Sequence, residues 1–262
     1  MKKIGFVDYY LSEWHANNYP RWVKELSDEY DVAYAYAELD VSPKDGVTTD
    51  KWCQKMGVER CFGIDELCKK SDFIMILAPD NAETHLRYAK AVLPYGKPTY
   101  IDKTFAPDLD TAKAIYNISD TPFFSTSALR YATELDEFKN ARDFVITGGG
   151  PELDIYAVHI AEMAVVLLGE PIECAKTERI GALTVCSAKS ISGKTATLVY
   201  SPGMDFSVTA ECADGKRRER TMKSEFFKAL IADVLKFFDS GRVPFDPAQT
   251  LEVMRLRDNM LK

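Results

Sequence analysis

The sequence predicts an α/β chain in two parts: a doubly wound parallel sheet, then an α+β domain built on a mostly antiparallel sheet. Three observations carry this. Up to Ile101, short apolar runs alternate with segments of helical spacing, the pattern of successive β-α-β units. From Arg179 onward, apolar and polar residues alternate in runs separated by glycine turns, the pattern of antiparallel hairpins. The chain has 262 residues, 46% hydrophobic and 11% aromatic, enough to pack one large core or two modest ones.

Lys3 to Val7 (KIGFV) reads as the first strand, and Pro20 to Tyr30 as a helix with Trp22, Val23 and Leu26 on one side. Asp31 to Ala37 alternates Val32, Tyr34 and Tyr36 with smaller residues and ends at Glu38-Leu39-Asp40. Trp52 to Met56 is a short helix, Glu59 to Phe62 a brief strand, and Ile64 to Lys70 a helix. Ser71 to Ala106 follows, on which the rest is organised. It holds a buried strand (Phe73 to Leu77), a turn at Ala78-Pro79-Asp80-Asn81, an amphipathic helix with His85 read as a surface or capping residue, and a strand (Thr99 to Ile101) ending in Asp102-Lys103-Thr104. Parallel strands joined by one helix form a right-handed crossover, so the turn after the first and the segment after the second open on the same sheet edge, where such sheets bind ligands. Ala78, Pro79, Asn81, Asp102 and Lys103 are therefore candidates for one crevice.

Asp8 to His15 (DYYLSEWH) stands where a dinucleotide-binding sheet carries its glycine-rich turn, and it contains no glycine. Glycines there let the backbone approach the pyrophosphate and let the helix N-terminus face it. Asp8 also places a carboxylate where phosphate charge should go. At ~5 Å and an effective dielectric of ~20, the repulsion is on the order of 3 kcal/mol.

The residues from Pro79-Asp80-Asn81 through His85, Gly96-Lys97 and the short strand to Asp102-Lys103-Thr104 resemble the Gfo/Idh/MocA family of oxidoreductases, the glucose-fructose oxidoreductase and inositol dehydrogenase type. The family's Glu-Lys-Pro triplet appears here as Asp-Lys-Thr, and His15 matches its histidine soon after the turn. The resemblance covers nearly the whole chain, which is short for the family and divergent in the glycine-rich turn. It implies a Rossmann-type domain over residues 1–125 and a substrate and oligomerisation domain over 126–262, with the last helices able to pack back on the first domain.

For function, the resemblance implies an NAD(P)-dependent oxidoreductase moving hydride between nicotinamide and a sugar-like or polyol substrate. NAD or NADP would lie along Tyr9, Tyr10, Leu11, Glu38, Ala78, Pro79, Asn81, Asp102 and Lys103, with Glu38 on the adenine ribose. Lys103 would polarise the reacting oxygen. Gly148-Gly149-Gly150, an apolar helix with His159, and the stop at Gly169-Glu170-Pro171 resemble the family's substrate-presenting helix. His159 would carry the proton, steadied by Glu162 on the same helix face or by Asp154. Ala128-Leu129-Arg130-Tyr131 matches an Arg-aromatic pair, with Arg130 and Tyr131 holding substrate. The missing glycines, Asp8, Thr104 in place of proline and the one-residue shift around Asp154, five residues before His159, support a second reading: a catalytically degenerate relative that lost the dinucleotide site and binds a ligand or partner.

Asp110 to Ile118 reads as a helix, Pro122 to Ser125 as a strand and Leu135 to Phe144 as a helix. Arg179 to Ala188, Thr195 to Tyr200, Asp205 to Ala210 and Lys216 to Thr221 are strands, and Phe226 to Phe238 and Ala248 to Leu261 the closing helices. Net charge is −7, with Lys216-Arg217-Arg218 set among acids, so neither nucleic acid nor an anionic membrane is an expected partner. Six cysteines without CxxC spacing or nearby paired histidines predict free thiols and no metal site. Met1-Lys2-Lys3 runs straight into a strand, and no apolar run nears a membrane span, so a cytoplasmic location is expected. A homo-oligomer formed through the C-terminal sheet is the expected assembly.

Overall fold

A computed structural model describes residues 1–262 and divides them into two compact units, 1–125 with 231–245 and 126–230 with 246–262. In the first unit, β1 (Lys2–Asp8), β2 (Tyr30–Ala37), β3 (Glu59–Arg60), β4 (Phe73–Ile76), β5 (Thr99–Ile101) and β6 (Phe123–Phe124) form one sheet in the order β3-β2-β1-β4-β5-β6. Every pairing is parallel. The order reverses between β1 and β4, and a doubly wound sheet opens its ligand crevice at that point, outside the carboxyl ends of the strands. Helices α1 (Trp14–Leu26), α2 (Thr49–Met56), α3 (Ile64–Lys70), α4 (His85–Val92) and α5 (Leu109–Tyr116) connect the strands.

Local chemistry sets these boundaries. Thr48 caps α2 by accepting from the Lys51 amide, and Gly57 ends it at φ 69°. Asp108 caps α5 through the Thr111 amide. Gly5 lets α3 lie against β1, because a Cβ there would fall 2.3 Å from Ser71 Oγ and 2.6 Å from the Leu67 side chain. The later part of α7 (Phe226–Ser240) belongs to this unit, with Phe238 stacked on Phe73 at 4.7 Å and Phe237 edge-on to Phe124 at 5.1 Å.

The second unit is a six-stranded sheet in the order β12-β11-β7-β10-β9-β8. Its strands are β7 (Asp143–Gly148), β8 (Ile172–Ile180), β9 (Leu183–Ser190), β10 (Thr195–Tyr200), β11 (Ser207–Glu211) and β12 (Arg217–Thr221), antiparallel except for the parallel pair β7 and β10. Helices α6 (Leu153–Leu168) and α8 (Pro247–Leu261) supply its core, with Ile160, Met163, Ala164, Leu256 and Met260 almost fully buried beside Ile146 and Leu198. No helix is long and apolar enough to cross a membrane, and all six cysteines are free.

Four sequence expectations change here. The helix expected over Pro20 to Tyr30 runs Trp14–Leu26, and Tyr30 opens β2. The helix expected over Leu135 to Phe144 is a 3₁₀ segment (Thr133–Phe138) followed by β7. Leu135, Phe138 and Ala141 are buried at a spacing of three, while Phe144 and Ile146 alternate with more exposed neighbours. The strand expected over Arg179 to Ala188 is two strands split at Gly181 (φ 58°), and β8 begins already at Ile172. His85, expected near the surface, is fully buried.

Candidate functional site

At the carboxyl edge of the first sheet, β1 ends in Asp8, buried to 1% exposure. Its Oδ1 accepts hydrogen bonds from the amides of Tyr9 (2.7 Å) and Ala78 (3.0 Å), tying the end of β1 to the turn after β4. Its Oδ2 is buried without a partner. Burial raises the Asp8 carboxyl well above its ordinary range, against the opposing pull of the two amides, and the nearby Asp102 raises it further. Ala78 sits at φ 50°, in the left-handed region.

Five residues on, Glu13 is the N-cap of α1 and is 3% exposed. Its carboxylate accepts from the His15 amide at 2.7 Å and from the Ala16 amide. Burial, and then the charge of Asp8, push the Glu13 carboxyl up to about 8. The preceding turn is held by the Glu13 amide on Leu11 O (2.8 Å) and, from just beyond β2, by the Leu39 amide on Tyr9 O (2.8 Å). Tyr10 and Leu11 are buried.

His15 points its Nδ1 at Asp102 Oδ2 in a very short contact, and the Tyr19 hydroxyl lies 3.1 Å from the same nitrogen. Asp102 Oδ1 accepts from Tyr100 OH (3.1 Å) and from the Lys103 amide (2.8 Å). Lys103, 7% exposed, donates to Pro79 O at 3.1 Å and lies 3.6 Å from Asp80. Lys44 reaches the other Asp80 oxygen at 2.7 Å. Burial alone would raise the Asp80 carboxyl, but the Lys44 hydrogen bond and the charges of Lys103 and Lys44 hold it below its ordinary value. The peptide bond between Lys103 and Thr104 is cis. His85 sits behind this edge, its ring nitrogens 2.7 Å from Leu77 O and 3.1 Å from Phe105 O.

A dinucleotide pyrophosphate needs these amides and a close backbone approach. The residues present do not fit it. Glu13 takes the amides of the first turn of α1, Asp8 takes those of Tyr9 and Ala78, and two buried carboxyls occupy the place of phosphate charge. Glu38, expected on the adenine ribose, instead accepts from Arg87 and from Tyr88 OH (2.9 Å). Asn81 donates to Glu83 at 3.0 Å.

In the second unit, His159 on α6 has its Nδ1 2.7 Å from Ser127 Oγ. Its ring is edge-on to Phe206 at 5.3 Å and tilted against Tyr156 at 5.8 Å. Ser127 caps the 3₁₀ turn Ala128–Tyr131, accepting from the Leu129 amide at 3.2 Å. Three glycines precede α6. A Cβ on Gly150 would fall 2.1 Å from the Tyr156 ring, and one on Gly149 would fall 2.2 Å from Ser201 O.

The expected partners of His159 are engaged elsewhere. Glu162 accepts from Arg130 Nε (2.7 Å) and from the Ser127 amide (3.1 Å). The Asp154 side chain accepts from the Ile155 amide at 3.0 Å. Arg130, expected on substrate, turns its guanidinium to Glu162, Thr126 Oγ1 (3.1 Å) and Gln249 Oε1 (2.8 Å). Tyr131 ends the same 3₁₀ turn, partly exposed. Ser127 and Glu13 are the residues that sequence reasoning missed. Ser127 lies 32 positions from His159, and glutamate is not among the preferred N-cap residues.

No protein-family model and no curated protein matches the chain. Solved structures do. A myo-inositol dehydrogenase from Corynebacterium glutamicum aligns over 99% of this chain and 95% of its own, at 13% identity and a TM-score of 0.80. The UDP-N-acetylglucosamine 3-dehydrogenase of Acidithiobacillus ferrooxidans aligns over 99% and 96%, at 12% identity and 0.78. A myo-inositol dehydrogenase from Lactobacillus casei, in complex with NAD(H) and myo-inositol, aligns over 98% and 93%, at 8% identity and 0.78. The chain therefore shares the fold of these proteins. It is the Gfo/Idh/MocA-type fold that the sequence resemblance implied.

Proposed function

We propose that this protein binds a sugar-like or polyol small molecule and does so without a nicotinamide dinucleotide seated at the β1–α1 turn. The observation that carries this reading is Glu13, whose carboxylate already caps the α1 amides that a pyrophosphate requires. The ligand class is supported by the fold's company, dehydrogenases of myo-inositol and of a UDP-sugar. His159 supports it too, as a partly exposed imidazole between Tyr156 and Phe206, since aromatic and polar groups together suit a ring bearing hydroxyls. Ser127 holds the imidazole at Nδ1.

The test is isothermal titration of the purified chain with myo-inositol, glucose and UDP-N-acetylglucosamine, without dinucleotide. Saturable binding to one of these, weakened at least ~10-fold by His159→Ala, supports the reading, a loss of ~1.4 kcal/mol. Absence of binding to all three contradicts it.

A second reading is an NAD(P)-dependent oxidoreductase acting on CH–OH groups, favoured by the fold and by the retention of Lys103 after β5 and of His159 on α6. Dinucleotide titration decides between the two. For assembly, the proposal places contact between copies on the second sheet, where Phe144, Val145, Thr197 and Thr209 line a depression of about 610 Å³. Light scattering of the purified chain checks it.

A further inference from the structure

Ligand binding in the second unit leaves a cluster of titratable side chains in the first without a task. His15, Asp102, Tyr19, Lys103, Asp80 and Lys44 meet at the carboxyl edge of the parallel sheet, the edge at which such sheets bind small molecules. His15 is held three ways. Its backbone amide donates to Glu13, its Nδ1 faces Asp102, and its ring stacks on Tyr19 at 5.1 Å. Asp102 is itself fixed by Tyr100 OH and the Lys103 amide. A carboxylate on Nδ1 keeps the proton on that nitrogen and leaves the lone pair on Nε2, the arrangement of a positioned base. The next residue along the chain supplies a buried ammonium. The ammonium is held in turn by Asp80, 3.6 Å from Lys103 Nζ.

We propose that His15 is a general base for proton transfer at the carbon beside a carbonyl, acting on a keto-sugar or keto-polyol, with Lys103 stabilising the carbonyl oxygen and Asp102 positioning the imidazole. The assignment rests on the sugar-like ligand class proposed above. In the step, the C–H bond next to the carbonyl breaks and its proton goes to His15 Nε2. The electron pair forms the C=C bond of an enediolate, and the oxygen charge is met by the Lys103 ammonium. Return of the proton to the neighbouring carbon, with the hydroxyl proton of the first carbon passing to the former carbonyl oxygen, gives an aldose–ketose isomer, and its return to the same carbon from the opposite face gives an epimer. Atoms and electrons balance with no oxidant, reductant or second substrate. This is chemistry that the edge supplies from its own side chains once Glu13 and Asp8 occupy the phosphate-binding amides.

The experiment is proton NMR in D2O with the full chain and no dinucleotide, using fructose, dihydroxyacetone and 2-keto-myo-inositol as probes. The expected result is loss of the α-proton signal of at least one probe, at least ~100-fold above the protein-free rate. His15→Gln returns the rate to background. Lys103→Met lowers it at least ~10-fold while calorimetric binding of the same probe persists, as expected for a group acting mainly in the transition state. Asp102→Asn lowers it as well and moves the His15 proton from Nδ1 to Nε2 in the nitrogen-15 spectrum, a change that a purely structural role does not produce. A probe that binds without exchanging overturns the assignment and leaves the ligand reading intact. No binding of any probe overturns the assignment, while the ligand reading is decided by the titration with myo-inositol, glucose and UDP-N-acetylglucosamine. Full exchange in His15→Gln removes His15 as the base. Independently of substrate, a wild-type spectrum at about pH 8 with the His15 proton on Nε2 also overturns it.

Discussion

Glu13 accepts a 2.7 Å hydrogen bond from the amide of His15, so one carboxylate both closes the first turn of α1 and fixes the backbone of the proposed base. In a dinucleotide-binding sheet those amides face a phosphate. Here Glu13 accepts from the amides of His15 and Ala16, and Asp8 from those of Tyr9 and Ala78.

Stability should fall with rising pH through Glu13. Its carboxyl is raised from 4.5 to about 8 by burial and then by Asp8, so the folded state holds the proton more tightly than the unfolded chain. The stabilisation is full below pH 4.5 and is lost as pH rises through about 8. At ~1.4 kcal/mol per unit, the wild type loses a few kcal/mol over this window relative to Glu13→Gln. Urea unfolding across the range checks this, and parallel curves for the two proteins contradict it.

The pair Arg130 and Glu162 should behave as a buried ion pair, with side-chain exposures of 11% and 3%. Glu162→Ala removes the carboxylate that faces the guanidinium and the Ser127 amide, at a cost of ~3–5 kcal/mol. Replacing both residues by apolar ones of similar size, Arg130→Met with Glu162→Leu, recovers most of that loss. A double-mutant cycle on chemical denaturation reads both values, and equal losses in the single and double variants count against the pairing.

Gly149→Ala should destabilise the second unit by about 1–3 kcal/mol, because the new Cβ meets backbone atoms that have no rotamer to escape into. Thermal unfolding measures it, and an unchanged midpoint means that the turn before α6 has room to relax.

The sheet of the first unit was legible because buried parallel strands read as apolar runs and the helices between them keep their own period. Lys103 was legible for the same reason: it follows a strand whose end the sequence marks. β7 was not, since Leu135, Phe138 and Ala141 carry a period of three into a strand of period two. His85 sits behind the edge on two carbonyls from separate loops, a burial that only tertiary packing sets. The missing glycines and Asp8 announced that the turn differs from a phosphate cradle. What fills it was hidden, because a glutamate between Ser12 and Trp14 reads as a surface acid until its burial is known.

The most direct test is fluorescence titration of the purified chain with NADH and NADPH, following energy transfer from Trp14, which is 49% exposed at the start of α1. If Glu13 and Asp8 fill the phosphate positions, no saturable signal develops up to about millimolar cofactor, the weak end of the affinity scale at ~4 kcal/mol. Saturable binding at micromolar concentration contradicts the account and restores the nicotinamide-dependent oxidoreductase reading.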